Sequence, residues 1–392
     1  FYEDIENAIG RVYGAEGQNV TVPPIVRFAS WVGGDMDGNP NVNAKTIRST
    51  MARQRSLILD LYYRECASIS AKLSQSTSRV AVDPEILERI ERYRSSFQHA
   101  YHAVAARHRE MPYRVFLRLV QERLQATYDD DAYPYESADQ LYDDIALLSK
   151  SLGTNKGQHA GQFAVNRLLR RIETFGFHFM TLDVRQDALV LRKVVGELIG
   201  EDDWLDMDPS VRLERIVEAI CSRDSISDQQ SVLARKTLAV FQAIAFCRRK
   251  YGPRSIGAFI VSMTQGADDI LSVLLLANWS ELHNRRDEVP LDIAPLLETV
   301  DDLQKGSQIL REMLDNDLYR EHLRQRDDKQ TVMIGYSHSN KDSGLASARW
   351  ALQNAQVDLV NLVSDRHIEL HLFHGRGGTI SRGGGKTHTA VL

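Results

Sequence analysis

Apolar residues recur along much of the chain at the spacing of one helical face. Phe116, Leu119, Val120 and Leu124 fall at i, i+3, i+4 and i+8, and Leu213, Ile216, Val217 and Ile220 at i, i+3, i+4 and i+7. Arg118, Glu122 and Arg123 fill the gaps of the first stripe, as on a solvated face. Both stripes predict helices that bury one side in a core. Between such helices lie apolar runs of another kind, at residues 25–31, 178–183, 256–263, 293–297, 332–336 and 368–373. Each has the length of a strand and none alternates cleanly, which predicts parallel strands buried on both faces beneath helices. Strands alternating with helices predict an α/β fold, a barrel with long helical insertions.

Polar residues gather after these runs. Trp31 leads into Gly33-Gly34-Asp35-Met36-Asp37-Gly38-Asn39-Pro40, Asp183 into Arg185-Gln186-Asp187, and Leu297 into Glu298-Thr299. Tyr336 leads into Ser337-His338-Ser339-Asn340-Lys341-Asp342, and Phe373 into His374-Gly375-Arg376-Gly377-Gly378. In a barrel the C-terminal ends of the strands are where chemistry is assembled.

Composition narrows the function classes. A net charge of −5 over 392 residues, with 43% hydrophobic residues, excludes a disordered chain and argues against a basic nucleic-acid binder. No apolar run is long enough for a membrane span, and no stretch reads as a signal peptide, so none is expected. Three scattered cysteines (Cys66, Cys221, Cys247) predict reduced thiols and a cytoplasmic location. The chain opens at Phe1 and stops at Leu392 inside an apolar run, so it is expected to be a piece of a longer protein.

Candidate chemistry follows from residue types. Arg376 and Arg382 sit in a glycine-rich stretch after a strand, where backbone N–H groups and guanidinium forks can clamp phosphate or carboxylate. A nucleotide P-loop ending in Gly385-Lys386-Thr387 needs glycine where Ile380 stands, and the dinucleotide pattern from Gly375 fails at the same residue. Lys341 can hold phosphate or developing negative charge, the alternative being a surface lysine. Glu298, closing an apolar run, is a candidate ligand for a hard divalent cation or one half of a salt bridge to arginine. Arg185 places a permanent charge at a strand end. The turn formers of residues 33–40 read as structural, and His178 as a core residue on an apolar strand.

These residues carry a resemblance. The segments 30–40 (SWVGGDMDGNP), 181–186 (TLDVRQ), 332–344 (VMIGYSHSNKDSG) and 373–378 (FHGRGG) resemble phosphoenolpyruvate carboxylase, in that family's order and spacing. The likeness runs from end to end of this chain but covers only the middle of a complete subunit. It implies a mostly helical, partial (β/α)8 TIM-type barrel. Residues 1–392 would be the central part of one barrel domain, with helical insertions at about 44–170 and 187–250. The implied reaction adds bicarbonate to phosphoenolpyruvate with Mg²⁺ or Mn²⁺, giving oxaloacetate and phosphate, in a cytoplasmic homotetramer. By position, Lys341, Arg376 and Arg382 match residues that carry phosphate and carboxyphosphate charge. Arg185 matches the residue holding the substrate anion, with His374, Gly377 and Gly378 in the substrate-binding segment. Glu298 matches a metal-ligating glutamate.

Three positions depart from the family pattern. His338 stands where a second metal carboxylate falls, Met36 where arginine is usual, and Lys386 where proline is usual. Imidazole is a poorer ligand for Mg²⁺ than an oxygen donor. The family's catalytic histidine motif would precede Phe1 and its C-terminal arginines would follow Leu392, so the piece alone is expected to be inactive. Two readings stay open: the central part of a working carboxylase, and a catalytically impaired relative that binds an anion or serves as a scaffold subunit.

Overall fold

The structure, a computed structural model, describes residues 1–17, 20, 22–222, 226 and 230–375. The chain divides into two units, Phe1–Ala29 with Ala52–Met180, and Ser30–Met51 with Thr181–Leu392.

Among its described residues the first unit is helical. In the helix Pro112–Asp129 the stripe Phe116, Leu119, Val120 and Leu124 is fully buried, as amphipathic spacing requires. Arg123, expected on the solvated face, belongs instead to a buried network. Its guanidinium lies 4.1 Å from the Tyr135 ring centre and donates to the Tyr93 hydroxyl and to Gln140 Oε1, both at 2.6 Å. Tyr93 and Tyr135 donate in turn to Asp144, a fully buried carboxylate that also pairs with Arg89. Spacing along one helix could not reveal a carboxylate contributed by another, Ala138–Thr154.

The apolar run 25–31 yields only the two-residue β1 (Ala29–Ser30). Pro23 and Pro24, just before it, lack the N–H groups a ladder needs. Val26 and Phe28 line a cleft of ≈ 840 Å³ with Phe163 and Phe175 instead, all within the first unit. His178 is a buried residue as expected, but not on a strand. It lies in the turn that precedes the next strand, and its neighbour Phe179 takes φ 65°.

The second unit holds β2 (Thr181–Asp187), β3 (Ile256–Ser262), β4 (Asp292–Leu297), β5 (Lys329–Gly335) and β6 (Glu369–Gly375). With β1 they form one six-stranded sheet whose order is the chain order, parallel from β2 to β6. At least one helix lies in each connection from β2 onward, so the sheet is a curled half-barrel of the (β/α)8 kind within a mostly helical chain. The two sheet faces are distinct. Leu182, Val184, Phe259, Ile293, Leu297 and Ile334 join the core under the helices, whereas Ile260, Ala294, Leu296 and Met333 form a small inner cluster against Trp31. Cys66 and Cys247 are buried free thiols, and Cys221 is exposed. Among the described residues no helix is long and apolar enough to cross a membrane.

Candidate active site

Side chains alternate across a strand, so the outward packing of Leu182 and Val184 turns Asp183 and Arg185 to the inner face of the half-barrel. There Arg185 meets the segment that follows β1. Its Nε and Nη2 donate to Asp35 Oδ1 (2.7 Å) and Oδ2 (2.8 Å), a bidentate pair. Its Nη1 lies 3.5 Å from Asp37 Oδ2, and its guanidinium 4.8 Å from the Trp31 ring centre. The backbone fixes the same contact: Arg185 N–H donates to the Gly34 carbonyl and Met36 N–H to the Arg185 carbonyl, both at 2.9 Å. Gly34 has to be glycine, because a Cβ there would collide with the Asp183 carbonyl oxygen. Burial alone would lower the Arg185 pKa, but the hydrogen bonds and charge of Asp35, then Asp37 and Glu298, hold it above its ordinary value.

Glu298 follows β4 directly and is buried. A capping box sets the chain direction here. The Thr299 hydroxyl accepts from Asp302 N–H (3.0 Å), and Asp302 Oδ2 accepts from the N–H groups of Thr299 (2.9 Å) and Glu298 (3.1 Å). From the next strand, Gly335 passes so close that a Cβ would lie 3.0 Å from Glu298 Cα. Ser339 N–H then donates to the Glu298 carbonyl at 3.0 Å, which seats the first turn of the helix Ser337–Val363 beside the carboxylate. Glu298 Oε1 lies 3.4 Å from His338 Nδ1 and 3.9 Å from Arg185 Nη1, while Oε2 is buried without a hydrogen-bond partner. Burial raises the Glu298 pKa; His338 and Arg185 oppose this, and Asp37 and Asp302 add to it.

Arg185, Glu298 and His338, far apart in sequence, are thus adjacent at the C-terminal side of β2, β4 and β5. Lys341 lies on the same helix as His338, three residues on, with an exposed side chain and no ion pair among the described residues. The sheet register sets His374 opposite Ile334, whose side chain faces the helices. His374 Nδ1 is 2.6 Å from the Tyr336 hydroxyl. Arg376, Arg382, Gly377 and Gly378 lie outside the described residues. Asp187 is structural: its carboxylate caps the helix Ala188–Ile199 by accepting from Leu189 N–H.

Residues 33–40 form the turn that their composition predicts, but composition alone does not identify Asp35, Asp37 and Trp31 as partners of Arg185. Two aspartates flanking one residue were the available signal. The local chemistry suits an anion held by arginine beside a cation held by a carboxylate. No group of three His, Cys, Asp or Glu side chains forms a ready metal cage among the described residues. Glu298, with Oε2 buried and orphaned and an imidazole nitrogen 3.4 Å from Oε1, nevertheless offers with His338 a donor set that fits a divalent ion.

Comparison with known proteins adds to this geometry. The family model described as "Phosphoenolpyruvate carboxylase" matches residues 1–392. A protein of that name from Xanthomonas oryzae pv. oryzae is 44% identical over 390 residues, covering 100% of this chain and 43% of the relative. One from Chromobacterium violaceum is 32% identical over 410 residues, covering 100% and 44%. One from Corynebacterium glutamicum is 33% identical over 400 residues, covering 96% and 43%. The chain therefore spans less than half the length of these curated relatives.

Proposed function

The chain belongs to the phosphoenolpyruvate carboxylase family, and from that premise we propose that it supplies one side of a site where bicarbonate is added to phosphoenolpyruvate. The observation that carries this reading is the Arg185–Glu298–His338 group on the inner rim of the half-barrel, with Arg185 locked by Asp35.

Every species in this reaction is an anion. A bicarbonate oxygen attacks the phosphorus of phosphoenolpyruvate, and the bond from phosphorus to the enol oxygen breaks. Carboxyphosphate and the pyruvate enolate result; carboxyphosphate releases CO2 and phosphate, and the enolate carbon bonds to CO2. Arg185, unable to lose its proton, holds the substrate anion, and the Asp35 fork with the Trp31 face fixes its direction before substrate arrives. Lys341, Arg376 and Arg382 carry the charge of phosphate and carboxyphosphate, with His374, Gly377 and Gly378 completing the substrate segment. Glu298 and His338 would hold Mg²⁺ or Mn²⁺, which when bound stabilises negative charge on phosphate and enolate oxygens. We assign the activity to the complete protein, a cytoplasmic homotetramer that replenishes oxaloacetate, with residues 1–392 as the central part of its barrel domain.

A coupled oxaloacetate assay on the complete protein tests this. We expect turnover from phosphoenolpyruvate and bicarbonate with a divalent metal, none from residues 1–392 alone, and at least a tenfold higher KM for phosphoenolpyruvate in Arg185→Gln. Absence of turnover with either Mg²⁺ or Mn²⁺ would refute the reading and favour the impaired relative, for which His338 and Met36 speak.

A further inference from the structure

We propose that this protein's cation site is selective for a first-row transition ion over Mg²⁺, with His338 Nδ1 as a nitrogen ligand beside Glu298. The inference rests on the assignment of Glu298 to a divalent cation. Donor atoms sharing one such ion at about 2.0–2.2 Å stand roughly 3 Å apart, and His338 Nδ1 lies 3.4 Å from Glu298 Oε1. His338 is half exposed on the first turn of its helix, so its ring can adjust by rotation while Ser339 N–H keeps the backbone on the Glu298 carbonyl. Glu298 Oε2, buried and without a hydrogen-bond partner, supplies a further lone pair. Arg185 does not fill this role: its Nε and Nη2 are bound to Asp35, its Nη1 is 3.9 Å from Oε1, and no hydrogen bond reaches Oε2.

Donor chemistry then selects the ion. Mg²⁺ demands oxygen ligands in near-ideal octahedral geometry and gives up water reluctantly. Imidazole suits transition ions, with affinity rising from Mn²⁺ through Fe²⁺ to Co²⁺. A carboxylate paired with an imidazole should therefore rank Co²⁺ above Mn²⁺ and Mn²⁺ above Mg²⁺. An aspartate at position 338 would restore an all-oxygen pair.

The test is Mn²⁺ titration of the complete protein followed by electron paramagnetic resonance, with Mg²⁺ as competitor, spin-echo detection of coupled ¹⁴N, and Co²⁺ absorption as a second probe. Wild type should show one directly bound imidazole nitrogen, absent in His338→Asp and His338→Asn. The affinity ratio of Mn²⁺ to Mg²⁺ should fall at least tenfold in His338→Asp. Glu298→Gln should weaken binding of both probes at least tenfold, with thermal melts verifying that each variant folds. No nitrogen coupling in wild type, an unmoved ratio in His338→Asp, or full-strength coupling in Glu298→Gln would each overturn the proposal. Nitrogen coupling without carboxylation by either Mg²⁺ or Mn²⁺ leaves the metal inference standing and removes the carboxylase reading. Carboxylation with Mg²⁺ and no nitrogen coupling does the reverse.

Discussion

Asp183 and Arg185 stand two positions apart on one face of β2, and their surroundings treat their charges in opposite ways. Arg185 has three carboxylates around it. Asp183 has one N–H donor, from Ala258 at 3.2 Å, and burial pushes its carboxyl up to about 6, with Asp292 adding to the rise. An acid whose pKa is higher folded than unfolded stabilises the fold in its neutral form. That contribution is complete below the ordinary carboxylate value near 3.8 and is lost as pH rises through about 6. Asp183→Asn keeps the acceptor and removes the charge. Its stability relative to wild type should be near zero at pH 4 and should grow to about 3 kcal/mol by pH 7. Denaturant unfolding of both proteins across that range checks this, and a difference that stays flat with pH would disprove it. In the sequence Asp183 reads only as a polar residue in an apolar run. Which side of the sheet it faces, and how far that face buries it, are not written locally.

At the scale of elements, the six apolar runs do yield six strands, because strand length and flanking turn residues are local properties. Their edges shift where local and tertiary demands compete: β5 begins at Lys329, and Tyr336 already caps the next helix. The segment after β1 is the sharper case. Its Gly, Asp and Asn residues do make a turn, as their chemistry predicts. The turn also acts as a clamp, laying Gly34 against β2 and presenting Asp35 to Arg185. Gly34→Ala should cost on the order of 2 kcal/mol through overpacking, and should raise KM for phosphoenolpyruvate in the complete protein by releasing Arg185. Thermal melts and the oxaloacetate assay read the two effects separately. An alanine variant as stable and active as wild type would show that the close approach is unimportant.

For the molecule as a whole, β6 is an edge strand of the half-barrel among the described residues. Among the described residues β6 pairs only with β5, and its exposure alternates from Glu369 to Phe373, with Phe373 46% exposed. An edge strand with apolar side chains is a template for pairing with another chain. Residues 1–392 purified alone should therefore self-associate in sedimentation velocity, and Phe373→Glu should move the boundary toward monomer. A wild-type chain that stays monomeric would count against this. The sequence by itself determined the helices and strands, the family, and the kinds of residue at the strand ends, since spacing and residue type act over a few positions. Only the tertiary structure decided that Asp35 meets Arg185 across 150 positions, that Glu298 keeps Oε2 orphaned while Oε1 faces His338, and that Arg123 closes a buried network. Contacts over such separations depend on how the sheet curls and which face each strand turns inward, and no local pattern encodes that.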